Sequence, residues 1–124
     1  MNGSYKDLKV WQKGMDLVYQ IYELTARFPK EELYGLVSQM RRAAVSVVSN
    51  IAEGKGRTSN KELAKFLSNS RGSLHELETQ VFVAARAEYF SRQLEKELLE
   101  KIEEIGRMLC GLSNYASDKS DRQA

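Results

Sequence analysis

Proline occurs once in this chain, as Pro29, and glycine occurs eight times among 124 residues. An all-β domain needs a turn about every 8–12 residues, and its turns draw heavily on proline and glycine. So few breaks favour long helices instead. The first of these helices stops at Pro29, because the residue before a proline avoids the α-helical region. The sequence therefore predicts an all-α fold.

Apolar residues recur at steps of three and four along four segments, which is the spacing of one face of an amphipathic helix. The segments cover about 7–28, from about 32–35 to 54, about 59–88 and about 91–116. Short connections join them, so we expect an antiparallel up-down-up-down four-helix bundle. No linker divides the chain, and residues 1–124 are predicted to form one domain with a frayed polar tail at about 117–124.

Local signals support these segments. Ser4 and Ser59 each stand three residues before an acidic residue, the spacing of a capping box at a helix start. Gly72 lies inside the third segment, where a glycine without other helix breakers favours close approach of a second helix. Glu97 and Lys101 in the fourth segment have the i,i+4 spacing of a stabilising ion pair.

The stretch 43–52, with sequence AAVSVVSNIA, carries no charged residue. A surface helix of a bundle normally presents charges on its outer face. One interpretation is a central helix with small side chains. The interpretation we favour is a helix covered on one side by its own bundle and on the other by a neighbouring subunit. The predicted oligomer-interface residues are Ala43, Ser46, Val47, Val48 and Asn50.

Catalytic and metal-binding patterns are scarce. His75 is the single histidine and Cys110 the single cysteine. A serine or cysteine nucleophile with a histidine base would have to use His75, and no nucleophile elbow surrounds it. A di-iron bundle needs two Glu-x-x-His motifs, and a zinc site needs more ligands than one chain offers here. We therefore expect no enzyme activity, no metal and no cofactor.

The same counts bear on the compartment. A lone cysteine cannot form an internal disulfide, which favours a reducing environment, and Cys110 is expected to lie in or near the core. The chain has no apolar stretch of the roughly 18 residues that a membrane span requires. Its start is polar and lacks the apolar segment of a signal peptide. These features predict a cytoplasmic protein without a membrane partner.

Positive charge is concentrated in the middle of the chain. The stretch 41–71 contains seven basic and two acidic residues, and therefore carries +5 in a chain whose total net charge is +2. Lysine and arginine near a helix N-terminus can bind phosphate groups. The predicted nucleic-acid contacts are Arg41, Arg42, Lys55, Arg57, Lys61 and Lys65.

The loop at 54–59 has two other interpretations, a phosphate-binding P-loop and a solvated turn. Its glycines and lysine do not have the spacing of a phosphate-binding P-loop, which also follows a strand and not a helix. A solvated basic turn that only aids solubility explains the same residues. The function predicted from charge is sequence-independent binding of RNA or DNA, and the alternative is a structural module whose partner is another protein.

Five runs of the sequence resemble a known family. They are YKDLKVW at 5–11, FPKEELYGL at 28–36, SQMRRAAVS at 38–46, SNIAEG at 49–54 and GSLHELETQ at 72–80. The family consists of four-helix-bundle proteins encoded in intervening sequences of bacterial 23S ribosomal RNA genes. The resemblance extends over nearly the whole chain, although Val48 stands where the commoner pattern has proline.

The resemblance implies an antiparallel bundle that forms a homopentameric ring. A related branch is the accessory variability determinant of diversity-generating retroelements, a basic pentameric bundle that associates with a reverse transcriptase and binds nucleic acid. The implied partners are therefore further copies of this chain, RNA or DNA, and a reverse transcriptase. The resemblance transfers no catalytic residue.

Overall fold

Four α-helices account for most of residues 3–123, the part of the chain that this computed structural model describes, and no β-strand occurs there. The helices are α1 (Lys9–Thr25), α2 (Ser38–Lys55), α3 (Asn60–Arg86) and α4 (Arg92–Gln123). Short helical turns lie at Tyr5–Asp7, Lys30–Glu32 and Leu33–Val37. The prediction of an all-helical chain with four long helices is confirmed.

The predicted capping box at Ser4 forms but caps a different element, and at Ser59 only the hydroxyl half of the box forms. The Ser4 hydroxyl accepts from the Lys6 amide at 3.2 Å, and the Asp7 carboxylate accepts from the Ser4 amide at 3.2 Å. This capping box starts the turn Tyr5–Asp7, while α1 itself begins at Lys9. At α3, the Ser59 hydroxyl accepts from the Glu62 amide at 3.1 Å.

Three helix boundaries differ from the prediction, and the first is the end of α1 at Thr25 instead of 28. Gly35 has φ −113° and ψ −108°, so the chain leaves the helical conformation there and α2 begins only at Ser38. At the other end of the chain, α4 continues through the predicted frayed tail to Gln123, and Ala124 lies outside the described residues. The apolar stripe of α4 extends to Ala116, which is fully buried.

No helix between residues 3 and 123 is long and apolar enough to cross a lipid bilayer.

Each helix contributes one apolar stripe to a common core. A polar contact also ties α2 to α3, because the buried Ser70 hydroxyl donates to the Val47 carbonyl at 2.7 Å. Among the buried residues are Leu17, Val18 and Ile21 of α1, Met40, Val47 and Ile51 of α2, Leu67, Leu74 and Leu77 of α3, and Leu98, Ile105 and Leu109 of α4.

Close helix approach occurs at other glycines than the one predicted. A Cβ added at Gly72 would meet no atom within 4 Å, so Gly72 faces open space and the expectation of a packing role is wrong. At Gly14 on α1, a Cβ would lie 2.6 Å from Val48 Cγ1 on α2. At Gly54 on α2, a Cβ would lie 2.8 Å from Phe66 Cβ on α3. Gly14 and Gly54 are therefore the positions where two helices need the missing side chain.

Alanine at Gly14 and alanine at Gly72 are predicted to change the free energy of unfolding in opposite directions. Gly14→Ala overpacks the contact with Val48, a cost of about 1–3 kcal/mol that the higher helix propensity of alanine offsets by about 1 kcal/mol. Gly72→Ala introduces no clash and raises the free energy of unfolding by about 0.5–1 kcal/mol. Urea denaturation of both variants measures the two effects. Equal stability of the two variants would contradict the assignment of close approach to Gly14.

Aromatic side chains join the connection after α1 to the connection between α3 and α4. The Phe28 ring centroid lies 5.0 Å from that of Tyr89 and 6.2 Å from that of Phe90. The Tyr89 hydroxyl donates to the Glu32 carboxylate at 2.8 Å. This hydrogen bond raises the pKa of Tyr89 above its ordinary value of 10.0. Glu88, just before Tyr89, ends α3 with a positive φ of 64°.

The raised pKa of Tyr89 predicts a pH-dependent contribution to stability. Because the folded chain holds the phenol proton more tightly than the unfolded chain, the contribution is complete below the unfolded pKa of about 10. It disappears as the pH rises through the raised pKa of the folded state. Tyr89→Phe lacks this contribution, so the stability difference between the variant and the unaltered chain should shrink above pH 10. A difference that stays constant in urea denaturation across this range would refute the linkage.

Candidate nucleic-acid interface

The α2–α3 turn forms the basic part of the surface. The backbone amide of Gly56 bonds to the carbonyls of Ala52 and Glu53 at 3.2 Å each, which closes α2, and α3 starts after Ser59. A pocket of about 340 Å³ lies here. We call the turn, this pocket and the first turns of α3, which carry Lys61 and Lys65, the loop end. The lining of the pocket includes Lys55 and Arg57 from the turn, Leu8 from the start of the chain, and Leu112, Tyr115 and Lys119 from α4.

Arg57 is held in place by two neighbours. Its Nη2 lies 2.9 Å from the Glu53 carboxylate, and its guanidinium lies 4.9 Å from the centre of the Phe66 ring. The ion pair is about half exposed, so water screens it and it contributes little to stability. It does fix the position of the guanidinium while offsetting part of its charge. Arg57 is therefore a positioned but partly neutralised cation.

Lys61 and Lys65 are the freest of the predicted cations near the α2–α3 turn. Both are exposed, and they stand one helical turn apart on α3. Neither makes a hydrogen bond or ion pair with another residue in the described part of the chain, and the same is true of the half-buried Lys55. Their charge is therefore available to an anion.

Lys119 is a cation of the loop end that sequence reasoning missed. It lines the pocket, and its Nζ lies 5.7 Å from the centre of the Tyr115 ring, one turn earlier on α4. The prediction of a frayed tail at 117–124 excluded it from the site. The i,i+4 spacing of Tyr115 and Lys119, together with the stripe that continues from Leu112 to Ala116, was the available signal.

Arg41 and Arg42 do not join the loop end. Lys55 lies thirteen positions after Arg42 on α2, which is about 20 Å along the helix axis. Arg41 donates to the Thr25 hydroxyl at 3.0 Å and to the Tyr22 carbonyl at 3.3 Å, and it stacks on the Tyr22 ring at 4.6 Å. These contacts hold Arg41 at the C-terminal turn of α1, apart from the loop end.

Three of the five predicted interface residues belong to the core of the chain itself. Ala43, Val47 and Val48 are 3%, 1% and 6% exposed, and so have almost no surface to offer to a neighbouring subunit. Ser46 and Asn50 are half-buried and bonded within the chain. The Ser46 hydroxyl pairs with that of Ser73 at 2.8 Å, and the Asn50 amide donates to the Ser46 carbonyl at 2.9 Å.

The exposed side of the same stretch contains Val45 and Ser49 instead. Val45 lies one turn after Arg41, which stacks on Tyr22, and Tyr19 lies one turn before Tyr22 on α1. Val45 is 37% exposed, Tyr19 63% and Tyr22 42%. We call these residues the α1–α2 face. On the other side of the stretch, Ala43 and Ser46 line a depression between α2 and α3.

A second polar depression lies between α2 and α3. This α2–α3 groove has a volume of about 730 Å³, and its lining includes Tyr34, Gln39, Arg42, Glu76 and Gln80. Gln80 is 8% exposed, and its Oε1 has no hydrogen-bond partner among the described residues. An unpaired buried polar atom costs about 1–3 kcal/mol, so it needs an explanation.

The residues with catalytic or metal-binding chemistry stay apart. His75 is exposed on α3, and Cys110 is half-buried on α4. Within residues 3–123 no group of three or more histidine, cysteine, aspartate or glutamate side chains is placed to hold a metal ion.

Comparison with known proteins connects this arrangement to a family. No curated protein matches the chain. A crystal structure of a protein of unknown function from the S23 ribosomal protein family of Bacteroides thetaiotaomicron VPI-5482 is similar, with a TM-score of 0.78 and 21% sequence identity over 85% of this chain and 95% of that chain. At this identity the likeness shows the fold alone. The family model described as 23S rRNA-intervening sequence protein matches residues 6–111, and the chain therefore belongs to the 23S rRNA-intervening sequence protein family.

Proposed function

We propose that this chain is a non-catalytic protein that binds RNA or DNA through phosphate contacts at the loop end. The observation that carries the proposal is the pair Lys61 and Lys65, which are exposed, one turn apart and without partners in the described part of the chain. Lys55 and Lys119 line the adjoining pocket and extend the positive surface. Lysine acts as a point charge toward phosphate, so these contacts give affinity without reading the base sequence.

Assembly belongs to the same proposal. We propose an antiparallel up-down-up-down bundle that forms a ring of five copies, the number that the family resemblance implies. Residue pairs support the antiparallel order, because Gly14 of α1 meets Val48 of α2 while Thr25 meets Arg41. On the next pair, Ser46 meets Ser73 and Gly54 meets Phe66. A ring repeats the loop end in each copy and converts weak single contacts into multivalent binding.

The partner enzyme of this proposal is a reverse transcriptase, and the protein acts as its accessory factor in the cytoplasm. The support is the resemblance to the accessory variability determinant of diversity-generating retroelements, together with the basic loop end. A reverse-transcriptase gene beside the coding sequence favours this partner. Its absence favours the second candidate function.

The second candidate is a structural module that binds another protein and no nucleic acid. The observation that favours it is the α1–α2 face, where Tyr19, Tyr22 and Val45 expose aromatic and apolar surface. Tyrosine is enriched at protein interfaces because one end of the side chain is apolar and the other polar. Nucleic-acid binding at low salt distinguishes the two candidates.

Reversing the charge of the free lysines tests the first candidate. Lys61→Glu with Lys65→Glu should weaken binding to RNA and DNA of every sequence alike, because phosphate contacts release counterions. The slope of log affinity against log salt should fall by about 1 for each lysine–phosphate interaction that the substitutions remove. Fluorescence anisotropy with labelled oligonucleotides at two salt concentrations measures both quantities.

A matched control is Lys30→Glu with Lys96→Glu, which changes the net charge equally at exposed lysines outside the loop end. The control should keep the affinity of the unaltered protein within a few-fold. The loop-end assignment is wrong if both double variants lose affinity to the same extent. If the unaltered protein binds neither RNA nor DNA at low salt, the protein-binding candidate replaces the first.

Charge introduced on two neighbouring valines separates assembly from folding. Val45→Glu places a carboxylate on the exposed α1–α2 face and should lower the oligomer mass while leaving the helix content intact. Val48→Glu places it in the core, 6% exposed, and should destabilise the fold by several kcal/mol. Light scattering gives the mass and circular dichroism gives the helix content. A Val45→Glu protein of unchanged mass above that of a monomer would exclude the α1–α2 face as the interface.

A further inference from the structure

We propose that the α2–α3 groove binds one unstacked guanine base of a single-stranded nucleic acid, an assignment that rests on the proposed function. The loop end holds phosphates and reads no sequence, whereas this groove contains groups suited to a base. Its volume of about 730 Å³ is in the range of small-molecule sites and accommodates a nucleotide. It is lined by polar side chains of two helices and by the ring of Tyr34.

Gln80 supplies the first argument. Its side chain lines the groove, is more than nine-tenths buried, and leaves Oε1 without a hydrogen-bond partner among the described residues. Oε1 is shielded from solvent, and a half-turn about the broad terminal torsion of glutamine brings it to the groove while Nε2 takes the buried position. An amide oxygen accepts hydrogen bonds only, so the group that meets it in the groove must be a donor.

Glu76 supplies a second acceptor on the same wall. It lies four residues before Gln80 on α3, and residues with this spacing are neighbours on a helix surface. The carboxylate of Glu76 makes no hydrogen bond or ion pair within residues 3–123. Two adjacent acceptors match a base edge with two adjacent donors. Guanine has this edge, through its ring N–H and its 2-amino group.

Tyr34 and Arg42 complete the site. The Tyr34 side chain is 93% exposed, although burial of an aromatic ring is favourable, and a base that stacks on the ring would cover it. Arg42 is exposed at the groove and has no partner among the described residues, so its guanidinium is available to the phosphate of the same nucleotide. The acceptors for the base edge therefore come from α3, the stacking ring from the turn before α2, and the phosphate partner from α2.

The test compares three fluorescein-labelled 11-mers of thymidine whose central residue is guanine, hypoxanthine or abasic. Hypoxanthine differs from guanine only by the missing 2-amino group. The full-length protein should bind the guanine strand about tenfold or more tightly than the abasic strand, with hypoxanthine between them. Fluorescence anisotropy at low salt gives the three dissociation constants.

Two variants locate the preference. Gln80→Leu and Tyr34→Ala should each bring the affinity for the guanine strand down toward that for the abasic strand. Leu33→Ala, which changes an exposed side chain next to Tyr34 outside the groove, should keep the preference. Circular dichroism confirms folding, and Tyr34→Ala removes a side chain that is too exposed to affect the core.

Each negative result has its own signature. Equal affinity for all three strands, with the salt dependence of phosphate binding, overturns the base site and leaves the proposed function standing. Absence of binding to every strand at low salt overturns both. A Gln80→Leu protein with a reduced oligomer mass means that a second copy of the chain fills the groove, and this also overturns the base site.

Discussion

The close packing of α2 against α3 is the constraint on which the other features depend. Gly54 has no room for a Cβ beside Phe66, and the Ser70 hydroxyl reaches the Val47 carbonyl at 2.7 Å. On its other side, α2 meets α1 at Gly14, again without room for a side chain. A helix held this closely on two sides needs uncharged residues along both flanks. This requirement accounts for most of the absence of charge at 43–52 without a neighbouring subunit, and only the strip at Val45 and Ser49 is left over.

The same packing distributes the polar groups along the α2–α3 seam. Ser46, Ser73 and Asn50 satisfy one another, so this part of the seam needs no outside partner. Gln80 lies two helical turns further along α3, and no residue of the described chain bonds to its Oε1. The seam is therefore complete at its middle and incomplete beside the groove. Because buried polar atoms are normally paired, the incomplete part is the place where a ligand or subunit contributes the most.

Local chemistry explains what could be predicted from the sequence. Helix type follows from the 3.6-residue period and the scarcity of breakers, and the cap at Ser59 follows from the affinity of a hydroxyl for free amides at a helix start. Period shows which face of a helix is apolar but not which neighbour covers it. For this reason the pattern assigns Val47 and Val48 to a subunit interface although their own core encloses them. Lys101 illustrates the same limit. Its Nζ donates to Gln20 Oε1 of α1 at 2.8 Å, instead of pairing with Glu97 as the i,i+4 spacing predicted.

For a related reason, the sequence predicts only those residues of the candidate site that are close together along the chain. Charge density along the chain identifies Lys55, Lys61 and Lys65, because the turn and the first turns of α3 are contiguous in sequence. Lys119 joins them only through the fold, and Arg41 leaves them because its hydrogen bonds lie on α1. Neither the packing of α4 beside the turn nor the open groove at Gln80 is visible in a period or a charge count.

Under the proposed function, separation of the loop end from the α2–α3 groove decides how a bound strand would span the two sites. Arg42 and Lys55 lie about 20 Å apart along α2, and a strand that rises about 3.4 Å per nucleotide covers this distance in about six nucleotides. A mononucleotide therefore reaches one site only, whereas a strand of about ten nucleotides reaches both. Once the lysines hold the phosphates, the groove meets the base at a high effective concentration, so a weak base contact becomes measurable. The two proposals together thus assign affinity to charge at one site and selectivity to hydrogen bonding at the other, and they predict that salt weakens the first far more than the second.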